Sequence, residues 1–157
     1  MLHAAFEACG RHQPFVLEAM VLLPDHLHML MTLSEGDGDF SIRVANVKSG
    51  FTRATLGAGG TEQRRSPSRV RQRARGVWLK RFWEHTIRSP DDLRRHLDYI
   101  HYNPVKHRHA RCPHAWAHSS FHRFVDENRY AVDWCCQCEQ IVAGPGRMEE
   151  IGSAAGE

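Results

Sequence analysis

The chain of 157 residues is long enough for one domain built around a single hydrophobic core. With 41% hydrophobic and 25% charged residues it has the composition of a soluble globular protein, and no apolar run approaches the roughly 20 residues of a membrane span. The first residues lack the basic and apolar regions of a signal peptide, and five cysteines, an odd number, do not suggest a disulfide framework. We therefore expect a cytoplasmic protein with reduced cysteines.

Charge is distributed unevenly along the chain, although the net charge is only +3. From Arg53 to Arg88 there are ten lysines and arginines and two acidic residues, whereas Asp126 to Glu157 holds seven acidic residues and two arginines. A basic middle segment is typical of a protein that binds a polyanion, most often a nucleic acid. A solvated basic loop without a partner has the same composition, so charge alone leaves both interpretations open.

The N-terminal part of the chain is predicted to contain an antiparallel hairpin. Leu2 to Cys9 has the pattern of the end of a helix, with Gly10 as the breaker. The apolar run from Phe15 to Leu23 lies between two prolines and indicates a buried strand. After a turn at Pro24 and Asp25, the alternation from His26 to Leu33 predicts the second strand of the pair.

The middle of the chain is predicted to hold a helix, an insertion and a third extended segment. The helix is expected from Ser41 to Leu56, with Val44, Val47 and Phe51 on one face. Residues 57–76 are rich in glycine, serine and arginine, and we expect a flexible, exposed, basic insertion there. The segment from Val77 to Ile87 carries three aromatic residues and is predicted to be a strand or an extended segment.

A second long helix is predicted from about Pro90 to about Tyr102. Ser89 is a good N-cap residue, and proline is favoured at the first helical position. Pro104 cannot continue a helix and should push Asn103 out of it. We expect one domain over residues 1–134 and a disordered C-terminal tail over residues 135–157.

His26 and His28 form a candidate metal-binding pair. On a strand, residues two apart point to the same side, so both imidazoles could share one divalent ion. With twelve histidines in the chain, such a pair also arises by chance, and a second one exists at His107 and His109. The first pair is favoured because it follows a buried strand and a tight turn, which could hold ligand geometry.

Tyr99 and Asn103 are a candidate nucleophile and a candidate third ligand. They are four residues apart on the predicted helix and therefore share a face. A tyrosine can attack a phosphate that a metal ion polarises, and an amide oxygen is a ligand that suits Mg²⁺ or Mn²⁺. Tyr102 is the competing nucleophile, about 100° further round the helix. A packed aromatic residue and a helix end remain the structural alternative.

Four separated blocks of sequence resemble the REP-associated tyrosine transposases, which are relatives of bacterial single-tyrosine insertion-sequence transposases. The chain is identified as similar to this family over about residues 6–134. The blocks are Leu23-Pro24-Asp25-His26-Leu27-His28, then Arg81-Phe82-Trp83-Glu84-His85-Thr86-Ile87-Arg88, then Asp98-Tyr99-Ile100-His101-Tyr102-Asn103-Pro104-Val105-Lys106-His107, and finally Ser119-Ser120-Phe121-His122-Arg123 with Asp133-Trp134.

The resemblance implies an α+β, ferredoxin-like antiparallel sheet with helices on one face, in which one strand carries the His-Leu-His motif. It implies that Tyr99 is the nucleophile, that His26, His28 and Asn103 bind the metal, and that the substrate is single-stranded DNA whose imperfect palindromes fold into hairpins. Family members usually begin with a further strand and most of a first helix, so we expect that first strand to be missing here. Arg108 and Ala117 also replace a usual glycine and a usual proline.

Further residues are candidates for contact with DNA. Arg81, Trp83 and His85 alternate on the predicted strand, where one face could bind phosphate and stack a base; core packing of Phe82 or Trp83 is the alternative. The insertion and the end of the long helix add basic side chains suited to backbone phosphates, namely Arg64, Arg65, Arg69, Arg71, Arg73, Arg75 and Lys106. A zinc site at Cys135, Cys136 and Cys138 is disfavoured because no second cysteine pair stands at ligand spacing.

The function predicted from the sequence is a metal-dependent DNA transposase that cuts and rejoins single strands at hairpin-forming repeats through a 5′-phosphotyrosine intermediate. The expected cofactor is Mg²⁺ or Mn²⁺, and the expected partner is hairpin DNA bound by a monomer or a homodimer. The alternative is a hairpin-binding protein whose catalytic activity is impaired. The sequence identifies neither the cleavage sequence nor the oligomeric state.

Overall fold

The computed structural model describes residues 1–71, 75–78 and 82–137, which fold as an α+β protein. The elements in chain order are α1 (Leu2–His12), β1 (Phe15–Leu22), β2 (Leu27–Leu33), α2 (Phe40–Gly57), α3 (Pro67–Arg71), α4 (Pro90–Lys106), a 3₁₀ turn (Pro113–Ala115) and α5 (Phe121–Asp126). The α+β class is thus confirmed, while the ferredoxin-like arrangement remains an expectation. No helix in these ranges is long and apolar enough to cross a membrane.

The first of two compact units combines Met1–Val16 with Leu33–Glu84, and in it α1 packs against α2. Phe6 and Cys9 are among the buried side chains of α1, and Val47 is buried on α2. The prediction that Gly10 ends the first helix is wrong, because α1 continues to His12. Glycine lowers helix stability by only about 1 kcal/mol, and the apolar face that α1 buries is sufficient to offset that cost.

The second unit combines Leu17–Thr32 with the chain from His85 onwards, and it holds the hairpin, α4 and α5. β1 and β2 form a two-stranded antiparallel sheet, the pairing predicted from their apolar patterns. The core of this unit joins one face of β1 to α4 and α5, and consists of Ala19, Val21, Leu23, Leu97, Ile100 and Phe124. The alternation of β1 therefore serves to bury one set of its side chains under α4.

The segment from Trp116 to Ser120 runs along β1 and closes that edge of the sheet. Ser120 N–H donates to the carbonyl of Met20 at 2.8 Å, and Met20 N–H donates to Ser120 Oγ at 2.9 Å. One register further along, Leu22 N–H donates to the carbonyl of His118 at 2.8 Å, and Trp116 Nε1 donates to the carbonyl of Leu22 at 2.9 Å. The backbone groups of two β1 residues are thereby satisfied.

His101 lies in the interior of the second unit with no exposed surface. Its Nε2 is 2.8 Å from Ser120 Oγ, while its Nδ1 is buried without a hydrogen-bond partner among the described residues. A second proton on this ring would therefore be placed on a buried nitrogen with no acceptor. Burial lowers the pKa of His101 to about 3, and the charges of Arg129 and Arg123 act in the same direction.

Two predicted elements differ from the structure. The segment from Val77 to Ile87, predicted to be a strand or an extended segment, forms no strand in its described residues, which are 77–78 and 82–87. α4 does not end before Pro104 but continues to Lys106, with Asn103 and Pro104 inside it. A proline in the last turn loses one helical hydrogen bond, and the burial of Pro104 and Val105 offsets that loss. The start of α4 is as predicted, because Ser89 Oγ accepts from Asp92 N–H at 3.1 Å.

Candidate active site

The hairpin turn brings His26 and His28 together. Leu23 N–H donates to the carbonyl of His26 at 2.8 Å, so Pro24 and Asp25 form a tight turn. β2 begins at Leu27, and the prediction that His26 lies within the strand is therefore off by one residue. The two imidazole rings nevertheless lie with their centroids 4.9 Å apart and their planes perpendicular.

Asp25 orients the first of these histidines. Its Oδ1 is 2.7 Å from His26 Nδ1, and the hydrogen bond from His26 lowers the pKa of the Asp25 carboxyl. A hydrogen bond to this carboxylate requires a proton on Nδ1, and in the tautomer with that proton alone the lone pair lies on Nε2, which is a buried atom. Carboxylates commonly play this orienting role for histidines that bind metal ions.

Tyr99, on α4, lies beside the second histidine. Its ring centroid is 5.2 Å from that of His28, at an interplanar angle of 81°, and the residue is only 3% exposed. The ammonium group of Lys106 donates to the Tyr99 hydroxyl oxygen at 3.2 Å and lies 4.8 Å from the ring centroid. Lys106, which the sequence suggested as a DNA contact, thus touches the predicted nucleophile.

Asn103 lies one helical turn beyond Tyr99 and is completely buried. Neither Oδ1 nor Nδ2 of its amide has a hydrogen-bond partner in the described part of the chain. A buried amide without partners costs free energy, so the side chain fits a ligand better than a packing role. The amide oxygen, together with two imidazole nitrogens, is a donor set that fits a divalent ion.

His107 is a site residue that the sequence reasoning missed. It is the C-cap of α4, and its ring centroid lies 5.1 Å from that of His26. The sequence argument set His107 aside with His109, because only the pair of His26 and His28 follows a buried strand and a tight turn. Its position on the same helix as Tyr99 and Asn103, one turn after the latter, was the available signal.

Tyr102, the competing nucleophile, has a different environment. Its hydroxyl oxygen accepts a hydrogen bond from Gln137 Nε2 at 3.0 Å, and its side chain is partly exposed. The structure thus places Tyr99, rather than Tyr102, next to a histidine of the hairpin.

The segment before α4 also contacts that helix. His85 is not on a strand: its Nε2 lies 2.9 Å from Asp92 Oδ2, and its ring stacks on that of His96. His85, Asp92 and His96 form a group of metal-ligand side chains in the described part of the chain. Trp83 is 45% exposed, and Arg81 lies outside the described residues.

The basic insertion has internal structure in the first unit. Glu62 accepts hydrogen bonds from Arg75 at 2.9 and 3.1 Å and lies 3.6 Å from Arg65. Arg69 donates to the carbonyl of Trp78 at 3.2 Å. The short helix α3 and the preceding turn border an open depression of about 680 Å³, lined by Arg64, Arg65, Ser66, Pro67, Val70 and Arg71. Arg73 lies outside the described residues.

The cysteines correct one expectation. Cys112 and Cys136 form a disulfide, which contradicts the prediction that the cysteines are reduced. Cys9 and Cys135 are free and buried, and burial raises the pKa of the Cys135 thiol to about 11. Cys138 and most of the predicted C-terminal tail lie outside the described residues.

Comparisons with known proteins identify the family. No protein-family model matches the chain. A Haemophilus influenzae protein assigned as a REP-associated tyrosine transposase is 44% identical over 133 residues, which are 83% of this chain and 73% of the relative. The REP-associated tyrosine transposase of Escherichia coli is 38% identical over 144 residues, 92% of this chain and 77% of the relative.

A solved structure of a REP-associated tyrosine transposase bound to a REP hairpin matches with a TM-score of 0.71 and 37% identity, covering 93% of this chain and 78% of the other. The chain therefore belongs to the family of REP-associated tyrosine transposases.

Proposed function

We propose that this chain is a metal-dependent transposase that cuts and rejoins single-stranded DNA at hairpin-forming repeats, with Tyr99 as the nucleophile. The observation that carries the proposal is the position of Tyr99. Its ring lies against His28, and its helix places the buried, unpartnered amide of Asn103 one turn away. Family membership supports the class of reaction, and this arrangement supports the choice of residues.

The divalent ion, Mg²⁺ or Mn²⁺, would be held by His26, His28 and Asn103. The orphaned amide of Asn103 and the orienting contact of Asp25 with His26 both fit that assignment. When bound, the ion polarises the phosphate that is attacked. Imidazole alone favours softer ions, so the amide oxygen is the ligand that makes the site suitable for Mg²⁺ or Mn²⁺.

Tyr99 performs the covalent step. Its phenol loses a proton to solvent and its oxygen forms a bond to the phosphorus of the cleaved linkage. The bond from phosphorus to the 3′ oxygen breaks, and that oxygen takes up a proton from solvent and leaves as a hydroxyl. Lys106 stabilises the negative charge on the phenol oxygen, both when the oxygen attacks and when it leaves during rejoining. The 5′-phosphotyrosine conserves the energy of the broken bond, so rejoining by a 3′-hydroxyl needs no ATP.

The proposed substrate is DNA with imperfect palindromes, as the hairpin in the related solved structure suggests. Exposed rings at Phe82 and Trp83 could stack unpaired bases, and the arginines around α3 could contact phosphates. Such contacts to the backbone would position DNA of any sequence. We place the protein in the cytoplasm, associated with the nucleoid, as a monomer or a homodimer.

A second candidate function is hairpin binding without cleavage. The specific observation in its favour is the burial of the catalytic groups, since Tyr99 is 3% exposed and Asn103 is fully buried. Cleavage requires that a phosphate reach both, so the site must open when DNA binds. A protein in which it stays closed would bind hairpins and leave them intact.

The test uses a labelled single-stranded oligonucleotide that carries a palindromic repeat, incubated with the full chain and Mg²⁺ or Mn²⁺. Cleavage and a covalent protein–DNA adduct are expected for the native chain. Tyr99→Phe should abolish both while binding remains within about twofold, since only one oxygen is removed. Tyr102→Phe is the matched control and should still cut. Hairpin binding without any cleavage would favour the second candidate, and loss of cleavage in Tyr102→Phe alone would assign the nucleophile to Tyr102.

A further inference from the structure

A second group of ligand-type side chains lies at the other end of α4. Asp92 and His96 are four residues apart on this helix and therefore share a face. His85 reaches them from the segment that precedes the helix. One ligand atom from each of the three residues lies within 4.8 Å of the other two.

The contacts within this group hold the donors in place. His85 Nε2 and the backbone N–H of Arg88 approach Asp92 Oδ2 at 2.9 and 3.0 Å. His96 Nδ1 lies 2.9 Å from the carbonyl of Asp92 and 3.2 Å from its Oδ1. The imidazole rings of His85 and His96 stack with their centroids 4.5 Å apart. Two imidazoles and one carboxylate thus converge at the first turns of α4.

The carboxylate at the centre is largely shielded and ionised. The side chain of Asp92 is 11% exposed and that of His96 is 13%, whereas that of His85 is 33% exposed. The hydrogen bond from His85 lowers the pKa of the Asp92 carboxyl, with further lowering by the backbone N–H of Arg88. The site therefore offers one negative oxygen ligand, and solvent can reach it from the side of His85.

From this arrangement we propose that His85, Asp92 and His96 bind a transition-metal ion of the Zn²⁺ type, with water in the fourth position. Zinc accepts two imidazoles and a carboxylate with bonds of about 2.0–2.2 Å, which small side-chain rotations would reach. Mg²⁺ demands mostly oxygen ligands and is not expected to bind here. The ion would replace the hydrogen bonds that now join the segment before α4 to its first turn.

This site is separate from the proposed catalytic one. Asp92 and Asn103 are eleven residues apart on α4, which corresponds to a rise of roughly 16 Å. No residue belongs to both sets, so one ion cannot serve both. The inference also stands without the proposed function, because it depends only on zinc binding.

The test measures Zn²⁺ binding by calorimetry to the full chain carrying His26→Ala and His28→Ala, which removes the catalytic histidines. One Zn²⁺ ion per chain is expected, and millimolar Mg²⁺ should not compete. Adding His85→Gln and His96→Gln removes two proposed ligands and should weaken zinc binding by more than about 100-fold. Loss of a residue that only contacts a ligand typically weakens metal binding by roughly 10- to 100-fold. The matched control is His114→Gln with His122→Gln, an exposed and a half-buried histidine whose rings are 5.3 Å apart, and it should bind zinc unchanged.

Unchanged zinc binding after the His85 and His96 substitutions, or no zinc binding before them, would overturn the proposal. Because those substitutions could disturb the start of α4, a second measurement uses the chain without them. In that chain, zinc should shift the imidazole NMR signals of His85 and His96 and leave those of His114 and His122 in place. Shifts confined to other histidines would contradict the proposal equally.

Discussion

Lys106 offers the sharpest test of how the proposed active site acts on Tyr99. Its ammonium group donates to the Tyr99 oxygen at 3.2 Å and lies 4.8 Å from the ring centroid. Lys106→Met removes the charge and the donor but keeps most of the apolar stem that covers the ring. We expect slower cleavage, because the charge that develops on the phenol oxygen loses the cation that donates a hydrogen bond to it.

The magnitude follows from the kind of contact that is lost. A hydrogen bond from a charged donor contributes about 1.5–3 kcal/mol, which corresponds to a rate that is roughly 10- to 150-fold lower. Rejoining should slow as well, since Tyr99 is then the leaving group. Binding of the hairpin should weaken only by the small amount that the loss of one cation implies.

The assay is single-turnover cleavage at saturating enzyme, with hairpin binding titrated separately. Lys48→Met is the matched control, because it removes one positive charge from the first unit, where Lys48 contacts Trp78 and Phe82 instead. That control should cleave bound DNA at the native rate. If Lys106→Met binds DNA much more weakly but cleaves what it binds at the native rate, Lys106 is a phosphate contact and our assignment is wrong.

Three further predictions concern stability and affinity. Burial lowers the pKa of His101 in the folded protein to about 3, below its ordinary 6.5. The free energy of unfolding should therefore fall by on the order of 4 kcal/mol as the pH falls from 6.5 towards 3. Denaturant unfolding curves that show no such fall over this pH range would contradict the buried neutral ring. Arg108 has a φ of 59°, a left-handed backbone conformation that strains residues other than glycine. Arg108→Gly should therefore raise the free energy of unfolding by about 1 kcal/mol, and an unchanged or lower melting temperature would disprove this strain. Replacing both Arg64 and Arg71 by Gln should lower the affinity for matched and scrambled hairpins alike. The slope of log affinity against log salt concentration should flatten by roughly 1.4. A loss of affinity confined to the matched hairpin would mean that these arginines read sequence.

The predictions that the structure confirms depended on patterns among residues close together in the sequence. The hairpin followed from two apolar runs around Pro24 and Asp25, and the start of α4 followed from Ser89, whose hydroxyl does cap the helix. Both depend on chemistry within a few residues, which a sequence displays directly. Tyr99 and Asn103 fall on one helix face for the same reason.

Long-range packing explains the features that sequence reasoning missed. Pro104 remains helical because the last turn of α4 is buried, and burial of that turn depends on residues far away in the chain. The same extension of α4 brings His107 to His26, a contact between residues that are far apart in the chain. Residues 82–87 alternate like a strand, yet a strand also requires a neighbour with which to pair.

The segment that lies along β1 has a consequence for how the protein can assemble. Exposed strand edges act as templates for further strands and so promote aggregation. On this edge, the backbone N–H and carbonyl groups of Met20 and Leu22 already form hydrogen bonds with Ser120, His118 and Trp116. A second copy of the chain therefore cannot add a strand at these positions. A second strand has to add at other positions, and loss of the Trp116 indole or the Ser120 hydroxyl should leave a backbone group of Leu22 or Met20 without its partner.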